Sequence, residues 1–218
     1  MTGDGARPGA EYVYEALVDA GVEVLVGLPG TQTLPLDRVV AARDEMDYVM
    51  ARHETAIPHV AWGYHRVSGT PAATLTVPGP GETHAMHGLK NAREDCVPLV
   101  PVTGDAAPDQ RGKGPIHEIE PETYDTVVKE NVVVEAEQDL PAAVERGIER
   151  GLTPPYGPVR LGVPSAFLAE EIRASPASVD PERVTRDNAA AYDAAADLLA
   201  DVRAVRNGTT FAGDGTEE

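Results

Sequence analysis

Three short segments hold the residues whose types and spacing could do chemistry: Gly27-Leu28-Pro29-Gly30, Arg52-His53-Glu54 and Pro78-Gly79-Pro80-Gly81-Glu82-Thr83-His84. Each follows a short apolar run that reads as a strand, and in an open α/β sheet ligands bind in the crevice outside the carboxyl ends of the strands. Glu54 has two readings at this level. It stands where an apolar-periodic segment begins, so it could cap a helix and be stabilised by the helix dipole. It could equally be a carboxyl that handles a proton at the mouth of a crevice. Spacing alone leaves both open. His53 and His59 read as structural. His84, His87 and His117 fall in different turns without carboxylate partners at ligand spacing, so no metal site is expected among them. The sequence carries no Ser/His/Asp signature, P-loop, HExxH or dinucleotide fingerprint.

The elements that must position these turns alternate between helix and strand. Apolar periodicity predicts helices over residues 11–20, 54–67, 82–94 and 140–152, with Gly21 and Ser68-Gly69 as stops and Pro141 in a first turn. Branched apolar runs predict strands over 22–28, 47–51, 72–77, 98–103, 131–136 and 159–163. Residues 105–114 are polar and glycine-rich and read as a surface loop able to act as a lid. Residues 124–128 offer a short helix at most. This alternation implies an α/β fold, a doubly wound, Rossmann-like parallel sheet with helices on both faces. Residues 171–188, rich in Pro, Ser and charge from Ala174 on, read as a linker. A short helix-strand tail over 189–218 is too small to bury a core alone.

Composition narrows the function classes. Of 218 residues, 42% are hydrophobic, enough for a proper core. Thirty-six acidic residues against eighteen basic ones leave a net charge of −18, so nucleic acid and anionic membranes are poor partners. The acids are spread along the chain, lysine is confined to Lys90, Lys113 and Lys129, and large apolar residues are scarce, which reads as adaptation to a saline cytoplasm. No apolar run is long enough to span a bilayer, the start is too polar for a signal peptide, and one cysteine excludes an internal disulfide. The expected compartment is cytoplasmic.

The order of motifs resembles the N-terminal, pyrimidine-binding domain of thiamine-diphosphate-dependent enzymes, acetolactate synthases most of all. The family's Gly-x-Pro-Gly turn stands here as Gly27–Gly30, its Arg-His-Glu as Arg52–Glu54, and its Ala-x-Gly-Tyr-Ala-Arg-x-Ser-Gly as Ala61–Gly69. Its Gly-Pro-Gly-x-x-Asn stands as Gly79–His84, followed by the matches over 95–104 and 157–164. The resemblance covers about residues 9–170. It implies that Glu54 hydrogen-bonds N1′ of the cofactor's aminopyrimidine and promotes the imino tautomer, whose 4′-nitrogen removes the thiazolium C2 proton. Such a carboxyl must hold a proton near neutral pH, for which Ala56, Ile57, Val60 and Ala61 would supply apolar surroundings. Pro29, Gly30, Pro80, Gly81 and His84 are implied as cofactor-binding and His117 as substrate-facing.

Departures from the family pattern qualify this. His84 replaces its asparagine, Pro78 its serine, and Ile116-His117-Glu118 its Phe-Gln-Glu. Pro155 stands where acetolactate synthases place an arginine that holds FAD, so FAD is not implied; Lys129 falls near a family lysine. Gly213-Asp214-Gly215 imitates half of the family's metal tag, so Mg²⁺ is expected from a partner domain and not from these residues. The implied function is the pyrimidine-binding half of an enzyme for decarboxylation or carboligation of 2-oxo acids. It would form a homo-oligomer, or a hetero-oligomer with a diphosphate-domain chain, and be inactive without that domain; residues 189–218 would open the family's middle domain. The alternatives are the alpha subunit of a split 2-oxo acid decarboxylase, of sulfopyruvate or phosphonopyruvate type, and a non-catalytic dimerisation or regulatory module.

Overall fold

Parallel strands buried on both faces read as nearly continuous apolar runs, and Val24–Gly27 (β2), Ala72–Thr76 (β4) and Val159–Pro164 (β7) are buried at every residue and apolar but for Thr74, Thr76 and Arg160. In the computed structural model these join Asp47–Met50 (β3), Leu99–Asp105 (β5) and Glu130–Val133 (β6) in one six-stranded sheet of order β3-β2-β4-β5-β7-β6. All five pairings are parallel. The structure describes residues 6–113 and 119–175, with 177, 179 and 196–197. The expected tail over 189–218 therefore lies almost wholly outside the described residues, as does His117.

Helices cover both faces, and the period-two alternation of β2 shows how. Leu25 belongs to the core cluster on the face covered by Gly9–Asp19 (α1), Leu34–Ala42 (α2) and Leu140–Gly151 (α5), which also holds Tyr12, Leu17, Leu36, Val40 and Ile148. Val24 and Val26 point the other way, onto Ile57 and Ala61 of Ala56–Ser68 (α3) and Ala92 of Pro80–Glu94 (α4). Gly69 ends α3 in the left-handed conformation expected of a C-terminal glycine. From β2 the chain steps outward to β3, then returns past β2 to reach β4. The direction of winding thus reverses between β2 and β4, and a crevice opens there at the carboxyl ends.

Several elements depart from expectation. Helix α2 was not foreseen, because only Leu36 and Val40, one turn apart, bury into the core. Helix α3 begins at Ala56 and not at Glu54. Asp105 closes β5 with its side chain only 7% exposed, so the expected surface loop starts later and holds one 3₁₀ turn, Pro108–Gln110. In place of a short helix over 124–128, a 3₁₀ turn spans Pro121–Tyr124. Ala6–Pro8 (β1) pairs antiparallel with Glu171–Arg173 (β8), just after Ser165–Ala169 (α6), in three-residue strands too short to leave a period. Strand β8 occupies the first residues of the expected linker. No described helix is long and apolar enough to cross a membrane.

Candidate functional site

The turns after β2 and β4 sit at the reversal point, because those strands flank it, and the turn after β3 joins them from the other side of β2. Val77 joins two of them. A Cβ on Gly30 would collide with Val77 Cγ1, and one on Gly81 would lie 2.6 Å from Val77 Cγ2 and 3.5 Å from Glu54 Oε1. The glycines are thus required by close approach: any side chain there would push Val77 outward or crowd the carboxylate. Gly79 sits at φ 64° and ψ −109°, which a side chain would resist. The Gly30 turn is braced from below. Its N–H donates to Thr33 Oγ1 at 3.1 Å, Thr33 donates to Asp37 Oδ2 at 2.7 Å, and the Tyr48 hydroxyl reaches Asp37 Oδ1 at 3.3 Å. Burial pushes the Asp37 carboxyl above its ordinary range, against the pull of these two donors.

Glu54 lies in the turn between β3 and α3, with 16% of its side chain exposed. The residue at the helix cap position is Thr55, whose side chain makes no capping bond. The Glu54 carboxylate points away from that role, with Oε2 3.4 Å from His84 Nδ1 and Oε1 facing Gly81. His84 is 51% exposed, and its ring centroid stands 4.9 Å from that of exposed His53. Of the apolar neighbours expected around Glu54, Ile57 and Ala61 are fully buried, while Ala56 is exposed and Val60 is 43% exposed, so half of the expected apolar surroundings face solvent.

The structure therefore brings Gly30, Glu54, Gly81 and His84 together. Lys129 serves elsewhere: its ammonium donates to the carbonyls of Arg150 and Thr153 at the end of α5. His87 pairs its ring with His59, 5.3 Å away.

Sequence reasoning missed a buried ionic network under the third turn. Arg160 on β7 is fully buried and holds Glu82, in the first turn of α4, through two bonds of 2.5 and 2.9 Å. The same guanidinium donates to Asp105 Oδ1 at 2.5 Å and Asn131 Oδ1 at 2.9 Å, and stacks 4.5 Å from the centre of the buried Tyr124 ring. Burial opposes the Arg160 charge, but the two carboxylates outweigh it and hold its pKa above the ordinary value. These contacts clamp the start of α4, and with it Pro78–Gly81, to β5 and β7. A charged residue inside the apolar run 159–163 was the one signal available.

A crevice at the winding reversal of a doubly wound sheet, floored by glycine turns and holding one half-buried carboxylate, defines a cofactor-type α/β site. Residues 7–126 match the family model "Thiamine pyrophosphate enzyme, N-terminal TPP binding domain", and the chain belongs to that family. It is 31% identical over 157 residues to the acetolactate synthase large subunit of Haemophilus influenzae, covering 72% of this chain and 27% of that protein. It is 32% identical over 162 residues to the chloroplastic acetolactate synthase of Arabidopsis thaliana, covering 74% of this chain and 24% of that one. Among solved structures it resembles the thiamine diphosphate-dependent 4-hydroxybenzoylformate decarboxylase of Rhodococcus jostii, with TM-score 0.69 and 28% identity, over 76% of this chain and 31% of that one. The chain spans about a quarter to a third of the length of these relatives.

Proposed function

We propose that this chain is the pyrimidine-binding half of a thiamine-diphosphate-dependent enzyme acting on 2-oxo acids, working with a diphosphate-binding domain that supplies Mg²⁺. The observation that carries the reading is the seat of Glu54. Among the described residues its carboxylate has one long bond, to His84, and its other oxygen faces Gly81, which lacks a Cβ. A nitrogen of the cofactor's aminopyrimidine would meet the carboxylate on this side. When bound, thiamine diphosphate supplies the electron sink for decarboxylation and carboligation.

The chain's own residues then divide the work. Glu54 holds a proton at the ring nitrogen and takes it back. Pro29, Gly30, Pro80 and Gly81 form the walls, with Val77 wedged between the glycines, and His84 orients the carboxylate. The solvent-facing side, toward exposed Ala56 and Val60, suits a second domain that closes the site, from another copy of this chain or from a different chain. Membership of the family and the likeness to acetolactate synthases favour a 2-oxo acid as substrate.

The test is an assay of 2-oxo acid decarboxylation and carboligation in high salt with thiamine diphosphate and Mg²⁺. Turnover is expected only when a diphosphate-domain chain is added. Turnover by this chain alone would contradict the reading.

A further inference from the structure

His53, Glu54 and His84 differ from the other histidine groupings in that each offers a ligand atom within 4.8 Å of the other two. Two imidazoles and a carboxylate form a donor set that zinc accepts, with three protein ligands and a fourth position left to water. Two donors each about 2.1 Å from a tetrahedral ion stand about 3.4 Å apart. His84 Nδ1 and Glu54 Oε2 already stand at 3.4 Å. That is long for a charge-assisted hydrogen bond, which settles at about 2.8 Å, but it suits an ion between the two atoms.

His53 completes the set from the same turn as Glu54. Its Nδ1 accepts the Thr55 N–H at 3.2 Å, so that nitrogen is unprotonated and exchanges one long backbone bond for a metal. Both histidines are exposed, and their rings reorient at little cost. The other histidine pair lacks these features. His59 has both nitrogens engaged, Nδ1 with the Thr55 carbonyl at 2.8 Å and Nε2 with Asn91 at 3.2 Å. No carboxylate joins it and His87 in a ligand group among the described residues.

We propose that His53, Glu54 and His84 bind a zinc-class divalent cation, which competes with the cofactor's aminopyrimidine for Glu54. The competition rests on the reading of Glu54 under Proposed function; the metal site does not. A carboxylate bound to a dication cannot share a proton with a ring nitrogen, so an occupied site is a blocked one.

The test is calorimetric titration of the metal-free full chain with Zn²⁺. Losing a partner behind a ligand already costs about 10- to 100-fold in metal affinity, so His84→Asn, which removes a ligand, is expected to weaken zinc by more than about 100-fold. His87→Asn is expected to change nothing, and circular dichroism checks that each variant is folded. Absence of zinc binding, or binding that survives both His84→Asn and His53→Asn, overturns the site. With a diphosphate-domain chain and excess Mg²⁺ present, added thiamine diphosphate is expected to lower the apparent zinc affinity more than the same concentration of inorganic diphosphate, which chelates zinc but carries no aminopyrimidine. Zinc binding that needs His84 yet ignores thiamine diphosphate leaves the metal site standing and overturns the competition alone, because the pyrimidine reading of Glu54 is tested separately by the turnover of Glu54→Gln.

Discussion

Arg160→Leu is the most severe single change the structure offers outside the crevice. Both oxygens of Glu82 are held by this one guanidinium, and Asp105 Oδ1 shares it, with side-chain exposures of 2% and 7% for the acids. Removing one partner of a buried pair leaves uncompensated charge and costs about 3–5 kcal/mol. For a chain of this size that lowers the thermal midpoint by roughly 6–20 °C. The loss depends on pH with a definite sign. Burial already raises the Glu82 pKa and Arg160 opposes it, so the variant raises it further above the unfolded value. A carboxyl with a raised folded pKa is tolerated below the unfolded pKa and destabilises progressively as pH rises through the folded one. The deficit against the parent chain is therefore largest at neutral pH and shrinks on acidification toward about pH 5. Replacing all three charges with apolar residues, as Glu82→Met, Asp105→Leu and Arg160→Leu together, should recover most of the loss. Thermal unfolding followed by circular dichroism at both pH values is the assay. A deficit under about 1 kcal/mol, or one that grows on acidification, would refute the reasoning.

Two further outcomes follow from the same geometry. Gly30→Ala drives a methyl into Val77 and should cost about 1–3 kcal/mol by overpacking; adding Val77→Ala should recover part of it, whereas strictly additive losses in denaturant unfolding would mean the two residues do not press on each other. With a net charge of −18, raising salt from about 0.01 to 1 M shortens the screening length from about 30 to 3 Å and should raise the thermal midpoint; an unchanged midpoint would remove the argument for saline adaptation.

The sheet was largely legible because four of its strands, β2, β4, β5 and β7, lie in mostly apolar runs that end at a glycine or proline, while β3 and β6 carry shorter apolar stretches after a charged first residue. Helices α1, α3, α4 and α5 were legible from their period. Helix α2 was not, since two buried residues make no stripe, and neither was the β1–β8 ribbon, whose pairing joins residues more than 160 apart in sequence. At the site, the three turns and Glu54 were found from motif order. Setting aside the cap reading needed coordinates, because it depends on where the helix starts and which way one carboxylate turns. Val77 looked like one more strand residue until its contacts with Gly30 and Gly81 were seen. Glu82 and Arg160 lie 78 positions apart, and neither charge suggests the other. The closeness of His53 and His84 was not legible either, since folding β3 and β4 on either side of β2 is what brings the two rings together.

Glu54→Gln tests the central claim most directly. The amide keeps the size and still hydrogen-bonds, but it cannot carry a proton to and from a ring nitrogen. Assayed with thiamine diphosphate, Mg²⁺ and a diphosphate-domain chain, the variant should lose about 10²- to 10⁴-fold in turnover, the range for a lost general acid–base group. Its thermal midpoint should barely move, since Glu54 caps no helix and its bond to His84 is long. Full turnover with a lowered midpoint would contradict the account and return Glu54 to a structural role.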